Sequence, residues 1–316
     1  SLPFAPIDGK KILGYRHALV PETLPSSMAV IGSGAIGSEL AFFYASLGVD
    51  VTIIEFMDRI LPLEDDEASA QLSRSFRKRG IKVMVSSAVK SVDTSGDGVV
   101  LKIDTKKGET ELRADVVLSA VGVVPNTDNI GLDSLGIECV KGRIPVDGRY
   151  ETSFKGVYAI GDVIATPALA HVASAEAINC VENIAGLAPA PVDYGIIPSC
   201  TYTCPQVASV GLNERTAKAK EIAYKVGKFP FTASGKATAS GEREGFVKIL
   251  ADSETDRVLG ASMVGENVTE MLSVISLAMK MNATCKDIMS VIFPHPTMSE
   301  AIMEAASAVH GEAVHI

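Results

Sequence analysis

The sequence contains no tryptophan, and aromatic residues make up only 5% of its 316 positions. Acidic residues outnumber basic ones, which gives a formal net charge of −9, and the basic residues are dispersed along the chain. Proteins that bind nucleic acid usually present a clustered basic surface and aromatic rings on which bases stack. The composition therefore argues against nucleic acid as the main partner.

Long apolar runs are absent as well. Hydrophobic residues make up 47% of the chain and the mean hydropathy is +0.25. Nevertheless, no stretch approaches the roughly 20 consecutive apolar residues that a membrane-spanning helix requires. The apolar runs are short and end at glycine, proline or charged residues, which is typical of buried parallel strands. The length is sufficient for two or three domains with a large core.

The cysteines do not follow the pattern of a secreted, disulfide-linked protein, because their number is odd and their spacing scattered. Cys200 and Cys204 are close in sequence, but they lie in a segment predicted to be extended. Four residues of strand span ~13 Å, which is too far for a disulfide, so we expect free thiols. No signal or transit peptide is visible, which predicts a cytoplasmic protein. The first residue is Ser1 within a proline-rich segment, which suggests a cut product that has lost any targeting segment.

The most informative segment is a glycine-rich turn between a short apolar strand and an apolar helix pattern. The strand is predicted over residues 28–31 and the helix over 38–47. A second strand over 51–54 follows and ends at Glu55. The motif Gly-x-Gly-x-x-Gly between the first strand and the helix consists of Gly32, Gly34 and Gly37. This order of strand, glycine turn, helix, strand and acid is the dinucleotide-binding fingerprint.

Each residue of the fingerprint has a physical reason. Gly32 permits the tight turn, and Gly34 lets the backbone approach a pyrophosphate at the positive end of the helix. Gly37 lets the helix pack closely on the strand. Glu55 would accept hydrogen bonds from a ribose 2′-hydroxyl and repel a 2′-phosphate, so we predict NAD rather than NADP. The alternative is a glycine-rich turn that only packs a helix against a sheet.

The remaining patterns predict a Rossmann-type domain, a shorter middle segment and an α+β domain with a mainly antiparallel sheet. Residues 1–27 are predicted to be loop. Helices are predicted over 65–79, 170–185, 268–281 and 298–309. Strands are predicted over 81–85, 99–103, 109–113, 115–121, 144–146, 157–160, 208–210, 223–226, 245–250 and 259–264. Residues 233–241, rich in Ser, Gly and Ala, are predicted to be an exposed loop.

Two segments in the middle of the chain are candidates for a second ligand site. Asp162 follows Gly161 at the end of a predicted strand, where an acid can bind ligand hydroxyls. The alternative is that Asp162 caps a turn or a helix. Residues 168–171 open a predicted helix, whose first amides can face a phosphate or a ring carbonyl. His171 within this segment could equally be a surface or capping histidine.

The segment near the C-terminus carries a candidate acid–base pair. His295 lies between two prolines, which favour an extended and rigid backbone. Glu300, five residues later, could orient the imidazole and raise its pKa, as in a catalytic dyad. The alternative is that Thr297 and Glu300 form a capping box that begins the last helix.

The order of these motifs resembles the pyridine nucleotide–disulfide oxidoreductases over essentially the whole chain. The resemblance rests on the glycine fingerprint and on four further segments: residues 120–127, Tyr-Ala-Ile-Gly-Asp-Val, Ala-Leu-Ala-His and His-Pro-Thr-Met-Ser-Glu. Within that family, the dihydrolipoamide dehydrogenases are most similar, because Glu55 fits NAD and the C-terminal residues 311–316 contain no cysteine pair.

The resemblance implies an α/β protein with a Rossmann-type NAD-binding domain (1–122), a remaining part of an FAD-binding domain (123–192) and a dimerisation domain (193–316). It implies an NAD site lined by Gly32, Gly34, Ile36, Gly37, Glu39, Glu55, Val89 and Gly122. It implies an FAD site near Gly161, Asp162, Ala168, Leu169, Ala170 and His171, with Asp162 bonded to the ribityl chain. His295 would be the acid–base residue, held by Glu300 and acting across a homodimer interface. The implied substrate is the lipoyl domain of a 2-oxoacid dehydrogenase complex.

One departure from the family pattern is large. Family members have an N-terminal flavin-binding half with its own Gly-x-Gly-x-x-Gly and a Cys-x-x-x-x-Cys pair, and neither occurs here. We therefore expect a fragment that is inactive alone, does not retain FAD tightly and exposes apolar surface over 123–192. Two alternatives remain open. One is another flavin disulfide reductase or an NADH oxidase, and the other is a non-catalytic short protein that binds NAD or dimerises.

Overall fold

The computed structural model describes all 316 residues, which form two compact units. The first unit combines Ser1–Gly122 with Pro198–Ile316, and the second comprises Val123–Ile197. The predicted division into three domains stays a prediction. No helix has both the length and the apolar character needed to cross a membrane.

The N-terminal part of the first unit contains a five-stranded parallel sheet. Its strands are β1 (Ile12–Leu13), β2 (Ser27–Ile31), β3 (Asp50–Ile54), β4 (Lys82–Met84) and β8 (Val116–Ser119), in the spatial order β1-β8-β2-β3-β4. Its helices are α1 (Tyr15–Leu19), α2 (Ala35–Ser46) and α3 (Asp66–Lys78). Four consecutive residues of β2, from Met28 to Ile31, are buried, as expected for a strand covered on both faces. The fold class predicted from the sequence is confirmed.

A three-stranded antiparallel sheet joins β4 to β8. It consists of β5 (Ser87–Asp93), β6 (Val99–Thr105) and β7 (Gly108–Ala114). The predicted hairpin is confirmed, with Thr105 opposite Gly108 at the turn. The prediction missed β5, and it wrongly assigned residues 1–27 entirely to loop, because β1 and α1 are too short to produce a recognisable period. Strand β1 exists only through its pairing with β8.

The second unit contains one long helix, α4 (Ala170–Ile184), as predicted. The strands predicted over 144–146 and 157–160 are wrong. These apolar segments make isolated backbone bonds, such as Ile144 N to Val163 O at 2.8 Å, and no continuous neighbouring strand is present to extend the pairing. They pack as loops around a small core that includes Tyr150 and Cys180. On α4, the large side chains Ile178, Val181 and Ile184 are exposed.

The C-terminal part of the first unit is a five-stranded antiparallel sheet with helices. Its strands are β9 (Ser199–Thr201), β10 (Gln206–Gly211), β11 (Tyr224–Pro230), β12 (Phe246–Asp252) and β13 (Val258–Gly265), in the order β11-β12-β13-β10-β9. Its helices are α5 (Glu214–Ala219), α6 (Gly235–Ser240), α7 (Val268–Lys280), α8 (Cys285–Ser290) and α9 (Glu300–Val309). The prediction missed β9, α5 and α8. It was also wrong at 233–241, where Ser234 caps α6 by accepting a bond from Ala237 N.

A row of polar residues crosses this antiparallel sheet and faces the segment that begins α3. Its members are paired strand to strand: Ser199, Ser209, Ser262, Lys248 and Lys228. At one end Ser199 Oγ donates to Glu64 Oε1 at 3.1 Å. Further along, Lys248 Nζ lies 2.9 Å from Asp65 and 2.6 Å from Glu67. We call these five residues the polar row, and it joins the two parts of the first unit.

Candidate functional site

The glycine turn has the geometry that the fingerprint predicts. Gly32 has a φ of 95°, and a Cβ on this residue would lie 2.5 Å from the carbonyl oxygen of Ala120. A Cβ on Gly37 would overlap the carbonyl oxygen of Gly32. At Gly34, by contrast, a Cβ would meet nothing within 4 Å, and no side chain caps the helix that starts there. The turn therefore leaves open space directly at the N-terminus of α2.

Glu55 is attached to the glycine turn. Its side chain is buried, and Oε2 accepts bonds from the backbone N of Ser33 at 2.9 Å and from Ser33 Oγ at 2.6 Å. Oε1 accepts a bond from Met57 N at 2.7 Å. The structure thus brings the acid and the turn together, as the fingerprint predicts. Sequence reasoning missed Ser33, whose only signal was a hydroxyl at a variable position of the motif.

The four other residues assigned to the NAD site have different surroundings in the structure. Ile36, in the first turn of α2, is partly exposed. Glu39 lies on the same helix, and its Oε1 accepts a bond from Tyr202 N at 2.9 Å. Burial raises the pKa of Glu39, although the bond from Tyr202 opposes the shift. Val89 lies on β5 and packs against a buried apolar cluster, and Gly122 is exposed with open space around it.

The segment assigned to the flavin site is organised within the second unit by a buried glutamate. Gly161 begins a single 3-10 turn, and its backbone N donates to Glu176 Oε2 at 2.6 Å. Asp162 next to it is exposed. Residues 168–171 lead into α4, with Leu169 at the N-cap and no side chain capping the helix. Ala168, Ala170 and His171 are exposed there.

Sequence reasoning missed Glu176 and the tyrosines that contact it. Tyr194 OH donates to Glu176 Oε1 at 2.8 Å and lies 3.2 Å from Tyr150 OH. Burial, together with these two neighbours, raises the pKa of Tyr194 well above its usual range. Glu176 is fully buried. Nothing in the sequence signals it, because a single acid in an amphipathic helix usually lies on the solvent face.

Glu300 makes one contact that bears on each interpretation of the C-terminal segment, and its catalytic role stays a prediction. Glu300 Oε1 lies 2.9 Å from His295 Nδ1, while Oε2 accepts a bond from Thr297 N at 2.8 Å. Only half of a capping box forms, because the Thr297 hydroxyl donates instead to the carbonyl of Pro294. Burial alone raises the pKa of Glu300, but the bonds from Thr297 and His295 lower it overall.

His295 faces solvent. Its side chain is 78% exposed, whereas that of Glu300 is 28% exposed. Large apolar side chains of the same C-terminal part are also exposed: Leu277, Met281, Ile292 and Val314. The exposure of its side chain makes the imidazole of His295 accessible to an approaching molecule. All five cysteines carry free thiols, as expected from their spacing.

Two family models match most of the chain. Residues 5–177 match the model described as pyridine nucleotide-disulphide oxidoreductase, and residues 197–306 match the dimerisation domain of the same family. A flavoprotein disulfide reductase of Escherichia coli shares the fold, with a TM-score of 0.89 at 24% identity over 97% of this chain and 69% of that one. The chain belongs to the pyridine nucleotide-disulphide oxidoreductase family.

Individual relatives narrow this assignment. A dihydrolipoyl dehydrogenase of Rhizobium etli is 46% identical over all of this chain and 66% of the relative. The mitochondrial dihydrolipoyl dehydrogenase of Pisum sativum is 44% identical, again over the whole chain and 64% of the relative. A crystal structure of LpdA from Mycobacterium tuberculosis has a TM-score of 0.89 at 30% identity and covers 97% of this chain and 66% of that one. The chain is thus of dihydrolipoyl dehydrogenase type and spans about two thirds of the length of these relatives.

Proposed function

We propose that this chain provides the NAD-binding and acid–base parts of a dihydrolipoyl dehydrogenase, which oxidises protein-bound dihydrolipoamide through a disulfide and FAD and reduces NAD⁺. The observation that carries the proposal is the exposed imidazole of His295, oriented by Glu300 at 2.9 Å in a chain of this family. A homodimer and a lipoyl domain as the substrate carrier belong to the same proposal. The matched dimerisation domain supports the homodimer.

The glycine turn fits a dinucleotide. The open space at Gly34 and the uncapped start of α2 suit a pyrophosphate, which the helix N-terminus attracts. Glu55 accepts three hydrogen bonds in the structure, and an ionised carboxylate has about four acceptor positions. One position is left for a ribose hydroxyl, and the negative charge disfavours a 2′-phosphate. NAD is therefore the nucleotide that we propose.

The segment around Asp162 fits part of a flavin. The bond from Gly161 to Glu176 holds the turn, so that Asp162 is presented to solvent as an acceptor for ligand hydroxyls. The uncapped start of α4 offers a second polar contact. When bound, FAD and NAD⁺ supply the redox chemistry by taking up the two electrons of the dithiol. We propose that this chain by itself does not hold FAD tightly.

His295 would move the proton. With Nδ1 facing Glu300, the free Nε2 can accept the proton of a substrate thiol, which leaves the more reactive thiolate. The carboxylate of Glu300 then stabilises the positively charged imidazolium. Because His295 lies at an exposed surface, a dithiol carried by a docked partner or held by a second subunit can reach it.

The test is the turnover of dihydrolipoamide with NAD⁺, using the protein in full as its gene encodes it. His295→Gln is expected to lower turnover by about 10²- to 10⁴-fold, the usual contribution of a general base. Oxidation of NADH by ferricyanide needs no proton transfer from a thiol, so this activity should persist in the variant.

His315→Gln is the matched control, because His315 Nδ1 also contacts a glutamate, Glu304, at 2.6 Å. We expect this variant to keep near-normal turnover. If His295→Gln retained turnover within a few-fold of the unchanged protein, the assigned role would be wrong.

A further inference from the structure

A cavity of about 840 Å³ lies between α3 and the edge of the antiparallel sheet near β11 and the loop 241–245. Five cationic side chains line it: Arg74, Lys78, Arg79, Lys228 and Arg243. Three carboxylates also line it, so positive charge is in excess. We call this cavity the basic cleft. This local excess of positive charge contrasts with the net charge of −9 of the whole chain.

None of the three carboxylates of the basic cleft, Glu67, Glu242 and Glu244, forms an ion pair with one of its arginines. Glu67 is held by Lys228 at 2.6 Å, and Glu244 by Gln71 and Lys78 at 3.2 Å each. In contrast, neither Arg74 nor Arg243 has a carboxylate partner.

Arg74 donates to Gln71 Oε1 at 2.7 Å, and Arg243 donates to the carbonyl of Thr232 at 3.2 Å. A guanidinium has five N–H donors in a planar fork that matches phosphate or carboxylate oxygens. Most donors of both arginines are therefore available to a ligand.

We propose that the basic cleft binds a small phosphate-bearing anion of the pyrophosphate class. Its volume falls within the range of about 300–1,000 Å³ that is usual for small-molecule sites. Its charged lining disfavours an apolar ligand, and arginine side chains favour phosphate through bidentate hydrogen bonds. The lining residues include neither the glycine turn nor the His295–Glu300 pair, so the proposal does not rest on the proposed function.

Isothermal titration calorimetry with sodium pyrophosphate, at constant ionic strength, tests the proposal. A hydrogen bond to a charged group is typically worth about tenfold in affinity. The double variant Arg74→Ala/Arg243→Ala should therefore bind about 100-fold more weakly. The double variant Arg74→Lys/Arg243→Lys keeps the charge but loses the planar fork of donors. Its affinity for pyrophosphate should therefore lie between that of the unchanged chain and that of the double alanine variant. If the alanine variant does not fold, the lysine variant alone tests whether the two guanidinium groups bind pyrophosphate.

The matched control is Lys102→Ala/Arg113→Ala, which removes two exposed cations from β6 and β7. It should bind pyrophosphate as the unchanged chain does. All variants are titrated in the presence of NADH, which occupies the glycine turn, so that the pyrophosphate binding measured belongs to the basic cleft, and this binding should persist. Equal affinity of the two alanine variants, or loss of pyrophosphate binding when NADH is added, would overturn the proposal.

Discussion

Lys248 is a buried cation whose removal should weaken the first unit measurably. Its side chain is 1% exposed, and its ammonium contacts Asp65 at 2.9 Å, Glu67 at 2.6 Å and Glu214 at 3.0 Å. Burial lowers the pKa of Lys248, but the three carboxylates outweigh burial and raise it overall. The substitution Lys248→Met keeps a similar volume and removes the charge. It leaves Asp65, 2% exposed, without a counter-charge.

The expected magnitude follows from this geometry. Removing one partner of a buried ion pair costs about 3–5 kcal/mol. The lower end of this energy range applies, because Asp65 keeps hydrogen bonds from the backbone N of Glu67 at 3.0 Å and of Ala68 at 3.4 Å. In addition, Glu67 and Glu214 are partly exposed and can regain water. We expect a loss of about 3 kcal/mol, or roughly 100-fold in the unfolding equilibrium.

The assay is urea denaturation followed by circular dichroism, with the free energy of unfolding extrapolated to water. Lys228→Met is the matched control. It removes a cation that also contacts Glu67, but its side chain is 38% exposed, so its loss should cost less than about 1 kcal/mol. Asp65→Asn keeps a good cap while removing the negative charge. It should therefore recover part of the loss when combined with Lys248→Met.

The stability that Glu67 and Glu214 contribute should decrease in acid. Burial raises the pKa of Glu67 and Glu214, but their bonds with lysine lower it overall. Their stabilising contribution is thus present above the ordinary carboxyl pKa of 4.5 and is lost as the pH falls through the lowered value. The difference between the unchanged chain and Lys248→Met should shrink in acid. The reasoning is refuted if Lys248→Met costs no more than Lys228→Met at neutral pH.

Three further outcomes are expected. Gly34→Ala should lower the free energy of unfolding by less than about 1 kcal/mol, measured by urea denaturation, yet weaken NADH binding at least tenfold, measured by NADH fluorescence. Gly37→Ala should lower the free energy of unfolding by about 1–3 kcal/mol. Burial raises the pKa of Glu64 despite its bonds with Ser209 and Ser199. The variant Glu64→Gln should therefore be as stable as the unchanged chain below about pH 4, and its advantage in stability should grow as the pH rises. The 316-residue chain alone should bind NADH but give no lipoamide turnover, because it has no Cys-x-x-x-x-Cys pair to take electrons from the dithiol.

The glycine turn was predictable because its determinants are local. The strand, the turn and the helix lie within about 30 consecutive residues, as in any βαβ unit. Gly37 is required there by a contact within that stretch, with the carbonyl of Gly32. Gly32 has a φ of 95°, and its close approach to the distant Ala120 was not predictable from the sequence. The pairing of His295 with Glu300 is local for the same reason, since five residues separate them. The chemical roles assigned to these residues stay predictions.

Features that depend on distant partners were not predictable. The polar row exists only because five strands align in one register, and Lys248 looks in the sequence like any lysine in a strand. Glu176 is recognisable only once its contacts with Gly161 and Tyr194 are known. The converse error occurred at 144–146, where an apolar run suggested a strand but no neighbouring strand was available to pair with it.

The two carboxylate oxygens of Glu300 have different partners. One contacts the imidazole of His295, and the other accepts a hydrogen bond from the backbone N of Thr297 in the turn before α9. In a library of all substitutions at this position, Asp is too short to reach both partners, and Gln has a single oxygen and so cannot present an acceptor to both. A requirement for both contacts would therefore leave few acceptable residues at position 300.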